Sequence, residues 1–340
     1  MTQLRVTLPE HSYTVTVGRG LLRQAHTFMD LSRRVFILTD SGVPSQYAET
    51  IRACAACATV YTVPQGEGSK SLRVLGEVLE SMLAFEMTRR DCVVAVGGGV
   101  VGDLGGFAAA TYMRGIDFYN VPTTLLSQVD SSIGGKTAVN LGVVKNIVGA
   151  FHQPKAVLVD PDTLRTLPAR QMASGYAEAI KMALTFDKEL FSLFECADFD
   201  DDTLTQAIAR SIDIKRRVVE QDEKETGLRR ALNLGHTLGH GIEAAEGLGG
   251  LYHGECVALG MLPMCSPDVK HRLLPVLARF GLQTDYKYDI DYALSFLKHD
   301  KKSQGDGVVS VVLVDEVGSF RMERMPFAAL ETMIKERVKP

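Results

Sequence analysis

The stretch VAVGGGVVGDLGGFAAATYMRG, Val94 to Gly115, decides how the first half of the chain folds. It opens as a short apolar run suited to a buried strand, breaks at Gly97, Gly98 and Gly99, and goes on as a helix. Glycines let backbone N–H groups approach a diphosphate, and the N-terminus of the following helix favours negative charge. The spacing departs from the usual G-x-G-x-x-G, so on this segment alone a tight structural turn is an open alternative. Asp103 is expected within the first helical turn, where it could simply complement the helix dipole.

Outward from this turn, strand-like runs recur: VFILTD (Val35–Asp40), TVYTV (Thr59–Val63), CVVAV (Cys92–Val96), FYNVP (Phe118–Pro122) and AVLVD (Ala156–Asp160). Helical stretches lie between them, the clearest with Leu72, Leu75, Val78, Leu79 and Met82 at helical spacing. This alternation predicts an α/β layer around a parallel sheet, a Rossmann-like N-terminal domain. Residues Met1 to Val17 alternate polar and apolar side chains like an edge strand. From Pro168 to Phe280 the strand signal nearly vanishes and helical periodicity dominates, with a strand pair returning at Val308–Val314 and Ser319–Glu323. The expected division is therefore 1–162, an α/β domain, and 163–340, a mainly α-helical domain.

Composition bounds the function. A chain of 340 residues with net charge −4 has no broad electrostatic footprint for nucleic acid. No apolar run approaches the ~20 residues of a membrane span, and the N-terminus lacks the basic start and apolar core of a signal peptide. A cytoplasmic protein is expected. Six cysteines are scattered, and Cys54 and Cys57 form a C-x-x-C within IRACAACATV. With no second pair to complete a zinc site, packing is the favoured reading over redox chemistry.

Four further segments hold candidate chemistry. VPTTLLSQVDSSIGGKTAVNLGVVKNIVGAFHQP, Val121 to Pro154, reads as a long functional loop too apolar to be disordered. Ser131, Ser132, Gly134, Gly135, Lys136, Thr137, Lys145 and Asn146 supply donors, backbone access and charge suited to phosphate, against the alternative of a solvated loop. In GYAEAIK, Glu178 and Lys181 share a helical face, most often a surface pair, but their neighbours look buried. In LNLGHTLGHGIE, His236 and His240 stand four apart on one helical face, and His253 follows in YHGE. Two histidines and a carboxylate are a recurring catalytic metal set with an open position. Spacing alone would pair His236 with His240; satisfied core histidines are the alternative. Lys215, Arg229 and Lys301 could each be solvated charges, although Arg229 lies only a few residues before the LNLGH motif.

In order along the chain, GGGVVGDLGGFAAATYMRG, VPTTLLSQVDSSIGGKTAVN, KNIVGAFHQP, YAEAIK, LNLGHTLGHGIE and HGECVALGM resemble the 3-dehydroquinate synthase family. The resemblance runs from Asp40 to Met261 and resumes at HDKK, His299–Lys302. It implies a lyase of the shikimate pathway that turns 3-deoxy-D-arabino-heptulosonate 7-phosphate into 3-dehydroquinate and phosphate. The implied steps are transient oxidation by NAD, phosphate elimination, re-reduction, ring opening and intramolecular aldol closure. It implies Glu178, His236 and His253 as ligands of Zn2+ or Co2+, and moves His240 to the substrate. NAD would contact Asp40, Glu67, Lys70, Gly98, Gly99, Val100, Val101, Gly102, Asp103, Thr123, Thr124, Asp130, Ser131, Lys136, Lys145, Thr163, Thr166 and Leu167. Substrate would contact Asp130, Lys136, Asn146, Lys181, Lys215, Arg229, Asn233, His240 and Lys301, with Lys136, Lys181, Lys215, Arg229, Asn233 and His240 in catalytic roles. Arg114 matches an arginine that reaches a partner subunit's site, which implies a homodimer.

The segment MLPMCSPDVKHRLLPVLARFGL is shorter than usual for the family, and the region before Asp40 resembles it little. Neither departure removes a catalytic position. The rival readings are another sugar phosphate cyclase, whose substrate lacks the carboxylate, a metal-dependent polyol dehydrogenase, which would release NADH, and a catalytically dead binding protein.

Overall fold

The apolar run ending at the three glycines forms an interior strand of a seven-stranded sheet. The structure, a computed structural model, describes residues 1–142, 144–247, 250–302 and 307–338, with backbone alone from 298 to 302. Contacts divide the chain into one unit of Met1–Leu167 with Lys215–Glu220 and another of Pro168–Ile214 with Gln221–Pro340.

The first unit runs β1 (Thr2–Thr7), β2 (Ser12–Val17), β3 (Arg34–Asp40), α1 (Ser45–Ala53), β4 (Cys57–Val63), α2 (Leu72–Ala84), β5 (Cys92–Gly97), α3 (Gly99–Thr111), β6 (Asp117–Pro122), β7 (Lys136–Leu141), β8 (Val144–Phe151) and β9 (Ala156–Val159). Sheet order is β1-β2-β9-β6-β5-β3-β4. All pairings are parallel except β1 with β2. Every residue of β5 is buried, as a parallel strand covered on both faces requires. The chain steps outward from β3 to β4, then returns to the other side of β3 for β5 and β6. This reversal opens a crevice beyond the carboxyl ends of β3 and β5, where open α/β sheets bind ligands. Asp40 ends β3, and Gly97 ends β5.

Several expectations need correction here. Met1 to Val17 is not one edge strand but a hairpin, broken where Pro9 removes a backbone donor. Only β1 lies at the edge; β2 pairs in parallel with β9. Val121 to Pro154 is not a continuous loop: it holds a π-helical turn, Ser127–Ser131, and the antiparallel hairpin β7–β8. Cys57 is exposed on β4, so packing does not explain it, while the half-buried Cys54 thiol faces the carbonyls of Leu22 and Arg23.

The second unit holds α4 (Ala169–Phe186), α5 (Lys188–Glu195), most of α6 (Asp201–Gln221), α7 (His236–Glu246), α8 (His253–Met261), α9 (Pro267–Arg279), α10 (Ile290–Lys302), β10 (Val308–Leu313), β11 (Arg321–Pro326) and α11 (Phe327–Val338). The second strand starts later than expected because the chain is still turning at Gly318, φ +87°. Helix α8 packs between α4 and α7. Its residues from Gly254 to Met261 are all buried. A Cβ on Gly254 would lie 2.1 Å from the Ser174 carbonyl of α4, and one on Gly260 2.1 Å from the Gly235 carbonyl before α7. Around this seam Ile180, Leu184, Leu238 and Ile242 are fully buried, each stabilising by about 1.5–3 kcal/mol relative to exposure. No helix among the described residues is long and apolar enough to cross a membrane.

Candidate functional site

In the first unit, Gly98 is the N-cap of α3. The N–H groups of Gly99, Val100 and Val101 therefore open the helix without intrahelical acceptors. A Cβ on Gly98 would come within 2.9 Å of Thr124 Cγ2, so the turn tolerates no side chain there without a shift. Thr123 N–H donates to the Gly97 carbonyl at 2.9 Å, and Thr124 Oγ1 accepts from Ser127 N–H at 3.2 Å, opening the π-helical turn. Such turns concentrate at functional sites. Ser131 Oγ at its end is buried, unpartnered, and 3.2 Å from where a Gly99 Cβ would stand. A buried hydroxyl of this kind fits a polar ligand at the glycine turn.

The flanking residues are tied to this turn by side chains. Gln128 Nε2 donates to the carbonyls of Pro122 and Asp160 and to Thr163 Oγ1. Tyr47 Oη bonds Thr166 Oγ1 at 2.9 Å. Leu167 closes the same segment by donating its N–H to the Leu164 carbonyl. Asp40 accepts from Gly42 N–H at 2.8 Å, and burial raises its pKa. Asp103 lies beyond the first turn of α3 and does not serve the helix dipole as expected. It accepts instead from buried Lys70 Nζ at 2.6 Å, and Lys70 also donates to Asn146 Oδ1. Asn140 joins the group through Glu67 Oε1 and the Asn146 N–H. Asn146, expected near substrate, is thus bonded to a lysine expected near cofactor; it sits in the left-handed region at φ +57°. Lys215, on the part of α6 that belongs to this unit, is buried and paired with Asp130. Lys136, Lys145 and Arg114 are exposed.

In the second unit, α4 presents Glu178 and Lys181 one turn apart, and both are buried. Lys181 Nζ is hydrogen-bonded to Glu178 Oε2. The other oxygen, Oε1, is buried and accepts no well-formed hydrogen bond. It faces His253 Nε2 at 3.5 Å and His236 Nε2 at 3.8 Å. Burial opposes ionisation of Glu178, but Lys181 and the two histidines outweigh it and hold its pKa well below normal. Burial and Lys181 press the His236 pKa well down. Burial also acts on His253, yet Glu178 and Glu243 overcome it and raise its pKa to about 9. Glu243 Oε2 lies 3.1 Å from His253 Nδ1.

Ligand atoms of Glu178, His236 and His253 all fall within 4.8 Å of one another, as do those of His240, Glu243 and His253. The i, i+4 pair His236 and His240 does not share a donor group, although their rings stand 5.3 Å apart. Two imidazoles and a carboxylate with an unpaired oxygen fit a divalent ion of the zinc type. Nearby, Arg229 is buried and donates through Nη1 to the Glu223 carbonyl at 2.5 Å, and Asn233 Nδ2 donates to Glu225 Oε1 at 2.9 Å. The side chain of Lys301 lies outside the described residues.

Residues 60–174 match the 3-dehydroquinate synthase N-terminal family, and residues 175–303 match the 3-dehydroquinate synthase C-terminal family. The chain belongs to the 3-dehydroquinate synthase family. A 3-dehydroquinate synthase of Streptococcus sanguinis is 40% identical over 98% of this chain and 100% of its own length. Among solved structures, a 2-deoxy-scyllo-inosose synthase complexed with carbaglucose-6-phosphate, NAD+ and Co2+ superposes with a TM-score of 0.88 at 27% identity, covering 99% of this chain and 100% of that one. A 2-epi-5-epi-valiolone synthase from Streptomyces hygroscopicus, with NAD+ and Zn2+ bound, gives 0.85 at 29%, covering 97% and 99%.

In this 3-dehydroquinate synthase family member, local sequence patterns leave Gln128, Asn140, Glu225 and Glu243 unmarked. Gln128 and Asn140 bond partners as far as 35 and 73 residues along the chain, which no local pattern marks. Glu243 alone had a signal, since it lies one helical turn after His240.

Proposed function

We propose that this chain is a lyase that cyclises 3-deoxy-D-arabino-heptulosonate 7-phosphate to 3-dehydroquinate with release of phosphate. The observation that supports it best is Glu178, a buried carboxylate with one oxygen held by Lys181 and the other turned to two histidines. We read the first unit as the NAD-binding domain and the second as the metal- and substrate-binding domain.

Glu178, His236 and His253 would hold Zn2+ or Co2+, which supplies a Lewis acid for substrate oxygens. The Gly98–Asp103 segment, with Asp40, Glu67, Lys70, Thr123, Thr124, Ser131, Thr163, Thr166 and Leu167, would hold NAD, which supplies a reversible hydride acceptor. The open helix N-terminus and the Gly98 turn orient and neutralise the diphosphate. Lys181 keeps Glu178 ionised and a cation beside it. Lys136, Lys145, Asn146 and Lys215 offer donors to the phosphate, and Asp130 holds Lys215 in place. Such groups hold the substrate in a reactive geometry and stabilise the departing phosphate dianion. Arg229 can grip the substrate carboxylate by two parallel hydrogen bonds. Asn233 would bond a hydroxyl. His240, exposed beside His236 and His253, can accept or return a proton at its ring nitrogen.

A homodimer is part of this reading. Leu141, Val144, Ile147 and Phe151 stand exposed along the β7–β8 hairpin, and Arg114 is exposed with φ +67°. Six cysteines, none of them in a disulfide, support a reducing, cytoplasmic setting.

The test is direct. Purified protein with the heptulosonate phosphate, catalytic NAD+ and Zn2+ or Co2+ should release phosphate and dehydroquinate in equal amounts. Stoichiometric NADH without phosphate would indicate a polyol dehydrogenase and overturn the proposal. Equal turnover of a sugar phosphate lacking the carboxylate would point to another cyclase.

A further inference from the structure

Asp222 follows the last residue of α6 and receives an unusual number of donors. Its Oδ1 accepts the Thr226 N–H at 2.8 Å and the Thr226 hydroxyl at 3.2 Å. Its Oδ2 accepts the N–H groups of Gly227 at 2.7 Å and Arg229 at 2.9 Å. Partial burial opposes the charge, but the backbone donors from Arg229, Gly227 and Thr226 bring its pKa down to about 2. One carboxylate thus closes the whole turn from 222 to 229. Inside that turn Glu225 is held in the left-handed region at φ +59°, a conformation a non-glycine residue keeps only when its surroundings impose it.

The turn is what presents the polar groups beyond it. Its carbonyl at Glu223 accepts Arg229 Nη1, and its Glu225 side chain accepts Asn233 Nδ2. Arg229 is buried, so its backbone N–H has no water to fall back on if the Asp222 acceptor is removed. We infer that Asp222 is the positioning residue for Arg229 and Asn233: it touches neither substrate nor cofactor, and fixes the backbone from which both side chains are aimed. The inference rests on the reading that Arg229 and Asn233 bind substrate.

The experiment compares wild type, D222A, D222N, R229A and D222A/R229A on 3-deoxy-D-arabino-heptulosonate 7-phosphate with saturating NAD+ and Zn2+. D222A should lose roughly 10–100-fold in kcat/KM, the scale of a small misplacement of a binding group, with most of it in KM. Zinc content and NAD+ affinity should be unchanged, which a general loss of structure would not allow. D222N keeps one acceptor oxygen and should recover part of the loss. In the double variant the D222A effect should vanish into that of R229A, as for residues acting as a unit. An unchanged KM in D222A, or fully additive losses, overturns the inference. If D222A fails to fold, D222N decides: a raised KM at an unchanged unfolding midpoint supports the role, and a wild-type KM rejects it. If R229A itself binds substrate normally, the placement of Arg229 fails, and the inference fails with it.

Discussion

Each unit buries a lysine against a carboxylate, and the two pairs behave oppositely. In the first, Lys70 meets Asp103, Asn146 and, at 3.7 Å, Glu67. Burial wins at Asp103, whose pKa is raised despite the lysine. In the second, Lys181 meets Glu178, and there the lysine and two histidines win over burial. Lys70 joins several polar groups into one network, whereas Glu178 keeps an oxygen without a donor, aimed at two imidazoles. A satisfied buried pair specifies structure; a pair with one oxygen left over is a place for another cation.

The sharpest way to break this contrast is His253→Ala. It should abolish activity and metal binding while the protein stays folded; full metal occupancy after dialysis would show that Glu178 faces something else. Glu243→Gln should be next. It removes the carboxylate beside His253 Nδ1, and metal affinity should fall ~10–100-fold, measured by competition with a chelator. If affinity is unchanged, Glu243 does not orient the ring.

Lys70→Met tests the other side. It leaves Asp103 without its cation and should destabilise by roughly 2 kcal/mol in urea unfolding, less than the ~3–5 kcal/mol of a fully buried pair because Asp103 keeps 21% exposure. Metal content should not change. The smallest effect is its pH dependence. A carboxylate with a raised folded-state pKa costs stability above its ordinary value of 3.8 and nothing once protonated in both states. The Lys70→Met deficit should therefore shrink as pH falls through the raised folded-state pKa of Asp103 and be largely gone by about 4, and a deficit constant with pH would show that lost packing, not the stranded charge, is responsible.

The fold was legible where burial imposed a pattern. The strands at residues 92–97 and 34–40 are built on unbroken apolar runs, Cys92–Val96 and Val35–Leu38, because both their faces are covered. The β7–β8 hairpin was not legible, because β8 is exposed along most of its length and its apolar and polar residues do not alternate along the sequence. At the site, the histidine concentration pointed to a metal, but helical spacing sees only one helix. It paired His236 with His240 and could not find Glu178, placed on α4 by tertiary packing. The Asp222 turn was invisible for a different reason: its donors are backbone N–H groups, which every sequence has.

The glycines of the α4–α8–α7 seam set a manufacturing tolerance. Gly235 immediately precedes His236, and Gly254 immediately follows His253. Each stands where even one added carbon would strike a neighbouring main chain, at 2.6 Å from the Val257 carbonyl and 2.1 Å from the Ser174 carbonyl. The two imidazoles are thus indexed to one another and to Glu178 by main chain pressed on main chain, with no compressible side chain between. A hinge so tight has no slack to lend. Variation in metal preference within such a scaffold would have to come from the chemistry of the donors and of the groups behind them, because the spacing of the donors is machined into the backbone.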